Sequence, residues 1–75
     1  MPLTLQLNGH PRTFADLTDP TPLATLITTL DLKPDRVAIE HNGEIAPRTT
    51  WSDLNLHNED RLEIVHFVGG GSQPY

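Results

Sequence analysis

None of the 75 residues is cysteine, so neither a disulfide framework nor a thiolate-ligated metal can supplement the core, and no thiol of this chain can carry a reaction. No apolar run approaches the ~20 residues that span a bilayer, and the first residues lack the basic and apolar regions of a signal peptide. The expectation is a cytoplasmic protein with no membrane association. Basic residues are few, five Lys and Arg against ten Asp and Glu, for a formal net charge of -5. That balance lacks the electrostatic footprint of a nucleic-acid binder and suits a partner with a basic docking face. A phosphate-cradling Gly-Lys motif is missing, as is any nucleophile–base pair, which weighs against an enzyme. His10, His41, His57 and His66 are dispersed, without the i, i+4 spacing of a metal site, and read as ordinary surface or core histidines with no metal to hold. Asp53, Glu59, Asp60 and Glu63 could pair as catalytic acids, but exposure on turns and strand faces accounts for them without chemistry.

What is present is regular punctuation in a chain long enough for one domain, of a size whose folding hides roughly 60 to 65% of the unfolded surface. Leu3, Leu5 and Leu7 alternate with polar residues and run into Asn8-Gly9, a pair suited to the positive φ of a tight hairpin turn. Residues 3–7 and 12–15 are therefore expected to form a hairpin, with Phe14 in the core. Thr21 can cap a helix and Pro22 can occupy its first turn. Leu23, Leu26, Ile27 and Leu30 recur at helical spacing as one buried face, and Pro34 ends that helix near Lys33. Residues 36–41 have strand character, with Val37 and Ile39 on one face, and Asn42-Gly43 supplies a second turn. Ile45 continues on a short return segment that Pro47 confines to a sheet edge or end. Trp51, Leu54 and Leu56 anchor a loop or a single helical turn. A last strand covers residues 61–67 after the turn at 58–60. The order β-β-α-β-β-β defines an α+β domain over residues 1–67, its sheet packed on one helix, followed by a flexible glycine-rich tail over residues 68–75.

The last strand is apolar on both faces. Leu62 and Ile64 share one, Val65 and Phe67 the other. One face must pack on the helix; Val65 and Phe67 could form an exposed patch that docks a partner, or fill the core around a local bulge. Val68 leads into Gly69-Gly70-Gly71, followed by Ser72-Gln73-Pro74-Tyr75. Glycine has no Cβ, so an extended glycine backbone enters channels closed to other residues. Such a run suits an end that is threaded into a partner, although a disordered end or cloning remnant is the alternative.

The stretch Val37-Ala38-Ile39-Glu40-His41-Asn42-Gly43-Glu44-Ile45-Ala46-Pro47-Arg48, together with Asp60-Arg61-Leu62-Glu63-Ile64-Val65-His66-Phe67-Val68-Gly69-Gly70-Gly71, resembles the ThiS family of sulfur carriers in thiamine biosynthesis. The resemblance covers nearly the whole chain and is closest from residue 37 onward. It implies the ubiquitin-like β-grasp fold, a mixed sheet of four to five strands packed on one main helix, with first and last strands parallel at its centre. It implies that a terminal glycine carboxylate is adenylated with ATP by a ThiF-like activating enzyme, converted to a thiocarboxylate with sulfur from a cysteine desulfurase or other donor, and delivered to a ThiG-like thiazole synthase. ATP and Mg²⁺ are then used by the activating enzyme, and the chain binds no cofactor itself. Family members that are ready to react end at glycine, whereas four residues follow Gly71 here. An internal glycine carbonyl is already an amide, so a peptidase is expected to remove residues 72–75. Gly71 is the expected acyl site, with Gly70 as the alternative register, while Val65, Phe67, Val68, Gly69 and Gly70 form the partner-binding patch and tail. A carrier for the molybdopterin or cysteine pathway, or a β-grasp interaction module without acyl chemistry, are the competing readings.

Overall fold

The structure is a computed structural model that describes residues 2–68 and 73–74. Strands β1 (Pro2–Leu7) and β2 (His10–Thr18) form the expected hairpin, and β2 runs further at both ends than residues 12–15. The turn between them needs left-handed backbone at both positions, and Asn8 (φ 48°) and Gly9 (φ 83°) supply it. Leu3 faces Phe14 across the ladder, while Pro2 faces Thr18, so β2 carries extra residues in a bulge near the start of β1.

The segment before the helix departs from expectation. Thr21 makes no cap; it is buried, and its hydroxyl donates to the Thr18 carbonyl. With Pro22 it forms the short strand β3 (Thr21–Pro22), and Pro22 stands at the N-cap position rather than inside the first turn. Helix α1 (Leu23–Thr29) buries Leu23, Leu26 and Ile27, and Leu30 packs partly against the same core. A helix this short has little intrinsic stability, so burial of those side chains, roughly 1.5–3 kcal/mol each, is what holds it. It stops four residues before Lys33. Asp31 adopts φ 58°, its N–H donates to the Thr28 carbonyl, and the Leu32 N–H donates back to Ile27. That is the paired closure of a Schellman cap, with aspartate where glycine is usual.

A single 3₁₀ turn (Pro34–Arg36) leads into β4 (Val37–His41), and the Asn42-Gly43 turn (φ 51° and 88°) leads into β5 (Glu44–Ile45). Pro47 ends the pairing, as its missing N–H requires, and a second 3₁₀ turn (Arg48–Thr50) swings Trp51 inward. Trp51 is 4% exposed and its indole N–H donates to the Ala46 carbonyl at 2.8 Å, satisfying its one polar group. The expected loop then forms β6 (Asn55–Leu56), which pairs antiparallel with β3 as a second, two-stranded sheet. Strand β7 (Arg61–Val68) reaches one residue further than expected, and β8 (Gln73–Pro74) lies antiparallel to its end.

The main sheet runs β2-β1-β7-β4-β5. Strand β7 sits at its centre, parallel to β1 and antiparallel to β4. Leu3, Leu5, Val37, Ile39, Leu62 and Ile64 from one sheet face meet Leu23, Leu26 and Ile27 of α1 in a single core closed by Phe14, Ala46, Trp51 and Leu56. Among the described residues no buried side-chain polar atom lacks a partner. No helix among them is long and apolar enough to cross a membrane.

Candidate functional site

Strand β7 divides its side chains between two environments. Leu62 and Ile64 point into the core, at 0% and 8% exposure. Val65 is half-buried and Phe67 is 38% exposed on the opposite side. Side chains directly across a ladder share a face, so the pairs Ala38–Val65, Glu40–Glu63 and Glu40–Ile45 place these residues on the outer surface of the sheet. Ile45 is the most exposed large hydrophobic residue described, at 70%. The outer face thus combines apolar Ala38, Ile45, Val65 and Phe67 with Glu40, Glu63 and Arg61. The sequence pattern points to Val65 and Phe67 on this face and puts Ile45 on a short return segment at a sheet edge or end, where β5 lies, without joining it to the patch. The signal was available: a two-residue turn at Asn42-Gly43 puts Glu40 opposite Ile45.

The first half of β7 is held by a residue assigned only to a turn. The Asn8 backbone N–H donates to the Leu62 carbonyl at 2.9 Å. The Asn8 side chain then extends the ladder where β1 stops, since Oδ1 accepts from the Ile64 N–H at 2.7 Å and Nδ2 donates to the Ile64 carbonyl at 3.3 Å. The start of β7 is held by carboxylates. Asp60 accepts from His41 Nε2 at 2.8 Å, from the His57 N–H at 3.0 Å and from Asn42 Nδ2 at 3.3 Å. Partial burial pushes the Asp60 carboxyl up, but these donors together outweigh it and leave the group below its ordinary value. Asp19 accepts from the Asn58 N–H at 3.1 Å and from His57 Nδ1 at 2.8 Å, and the Asn58 bond, followed by that of His57, lowers its pKa. Asp60 is therefore a half-buried structural acceptor rather than an exposed turn charge, whereas Asp53, Glu59 and Glu63 are exposed as expected. His41 and His57 have the same structural use. No group of three or more His, Cys, Asp or Glu that could hold a metal ion occurs among the described residues.

Val68 closes β7. Gly69, Gly70 and Gly71, the expected tail and acyl site, lie outside the described residues. The geometry up to that point is a central strand, hydrogen-bonded on both sides, that carries an exposed aromatic on its outer face and leads directly into the glycines.

A mixed five-stranded sheet with its central strand parallel to the first, packed on one helix, is the ubiquitin-like β-grasp fold. The crystal structure of the thiamine biosynthesis protein ThiS from Geobacter metallireducens superimposes with a TM-score of 0.78 at 28% identity, covering 92% of this chain and all of that one. The chain belongs to the ThiS family, whose model matches residues 5–71. The sulfur carrier protein ThiS of Bacillus subtilis is 36% identical over 67 residues, 89% of this chain and 98% of that protein. The thiazole synthase of Magnetococcus marinus is 35% identical over 72 residues; the match covers 96% of this chain and only 21% of that protein's length.

Proposed function

We propose that the chain is a sulfur carrier of thiamine biosynthesis, a protein co-substrate rather than an enzyme, acting in the cytoplasm. The observation that carries the reading is that the family match runs through the core, along β7 and up to residue 71, the last of the three glycines. Gly71 is the acyl site, with Gly70 as the alternative register, and residues 72–75 are removed by a peptidase before the chain reacts. A free carboxylate is a poor electrophile. A ThiF-like enzyme, using ATP and Mg²⁺, joins it to AMP with release of pyrophosphate; a persulfide supplied by a cysteine desulfurase then displaces AMP to give an acyl disulfide, and a partner thiol cleaves its S–S bond, forming a disulfide and releasing the thiocarboxylate, whereas a sulfide-level donor gives the thiocarboxylate directly. The chain's own contribution is positional: the outer face with Val65 and Phe67 binds the partner while Val68, Gly69 and Gly70 span the distance to its active site. Thiazole synthase as the recipient is supported by relatives of that name in which a segment similar to this chain is part of a longer protein.

Intact mass of carrier recovered from its host should show loss of residues 72–75. After incubation with activating enzyme, ATP and sulfur donor, the trimmed chain should gain the mass of one sulfur in place of one oxygen. Full-length chain that is fully active in sulfur transfer would overturn the trimming, and a trimmed chain never adenylated by its cognate enzyme would overturn the carrier reading.

A further inference from the structure

Hydrogen-bonding groups along β7 alternate between its two neighbours. The carbonyls of Asp60 and Leu62 accept from β1 and from Asn8, and Ile64 is bonded to the Asn8 side chain, so even-numbered residues face the β1 side. Beyond Asn8 the first hairpin turns away, and no β1 residue pairs with the end of β7. A cleft of about 390 Å³ opens there, bordered by Leu7, Asn8, Arg12, Leu30, Leu32 and His66. Gln73 and Pro74 pair with β7 in antiparallel register, Val68 opposite Gln73 and Phe67 opposite Pro74. Proline has no N–H to give, so the Phe67–Pro74 position must be a non-hydrogen-bonded pair, and the ladder bonds pass through the even-numbered residues. The added strand β8 therefore continues the line of β1.

We propose that the C-terminal segment is a removable strap: Gln73–Pro74 pairs with Phe67 and Val68 at the end of β7 and masks that edge from partners until residues 72–75 are cut away. An unpaired strand edge is a template for strand addition, and the cheapest way to protect it is to pair it within the chain. The proposal rests on the carrier reading for its purpose, though not for its geometry. Trimming after Gly71 then has two effects, since it liberates a carboxylate and bares the edge that a partner's extended segment can join.

The test uses the full chain and its Gln73→Pro variant, which removes the N–H that Gln73 gives to the ladder and leaves Gly71 untouched. In wild type, NMR should show a cross-strand Hα–Hα contact between Phe67 and Pro74, and the Val68 amide should exchange about fivefold more slowly than in the variant, as one or two net hydrogen bonds allow. Absence of the contact together with equal exchange in both chains overturns the strap. The cognate adenylating enzyme should capture a chain ending at Gly71 about tenfold more tightly than the full chain, and the variant should recover part of that difference. A variant that loses the Hα contact yet binds as weakly as wild type overturns the masking role. Failure of every form to bind, with the NMR contact present, removes the carrier reading and the masking with it while leaving the pairing intact.

Discussion

A single asparagine does two jobs at the base of the central strand. Asn8 takes the left-handed conformation that opens the first turn, and its amide supplies the acceptor and donor that Ile64 would otherwise lack on the side where β1 ends. Unmade hydrogen bonds on a central strand cost more than the bonds contribute when formed, because the backbone groups have already been taken from water. Asn8→Ala should lower the unfolding free energy by about 2–3 kcal/mol, combining loss of both bonds with the poorer tolerance of alanine for positive φ. Asn8→Gly keeps the turn and loses only the side chain, so it should cost less, about 1–2 kcal/mol. Urea denaturation of the two variants checks the order. Equal losses would assign the whole effect to the side-chain bonds.

At the scale of elements, the positions of the helix and of the five strands β1, β2, β4, β5 and β7 follow from patterns visible in the chain, and their ends do not. Asp31 shows why. The helix stripe at Leu23, Leu26, Ile27 and Leu30 is plain, but the stop signal is an aspartate at φ 58° instead of a glycine, so Pro34 is the first stop that can be read. Glycine relieves the left-handed strain at some entropic cost, and Asp31→Gly should stabilise the chain by about 0.5–1 kcal/mol, read as a higher denaturation midpoint at unchanged slope. The pairing of β3 with β6 was hidden for another reason: two residues on each side, joined across more than thirty positions, leave no periodicity to detect. The site divides along the same line. Alternation along β7 separates the core face of Leu62 and Ile64 from the outer face of Val65 and Phe67, whereas the clamp from Asn8 and the carboxylate caps from Asp19 and Asp60 depend on partners remote in sequence.

For the whole molecule, the acidic balance and the placement of apolar groups point in one direction. A core this small leaves little stability to spare, yet Ile45 and Phe67 are kept on the surface beside Glu40 and Glu63 instead of being buried. Burial energy of that size, forgone in folding, is available on docking to a face with apolar pockets and basic margins. Phe67→Glu separates the two uses. On the outer face it should change the unfolding free energy by only about 1 kcal/mol, against 2–5 kcal/mol for Leu62→Ala on the core face of the same strand. Binding to the activating enzyme should fall by at least about 30-fold, since exposed aromatics at the centre of an interface carry a disproportionate share of its energy. Calorimetric binding and thermal unfolding of the same two variants provide the comparison. A Phe67→Glu chain that unfolds like Leu62→Ala would place Phe67 among the core residues, and one that folds and binds normally would remove the outer face from the docking surface.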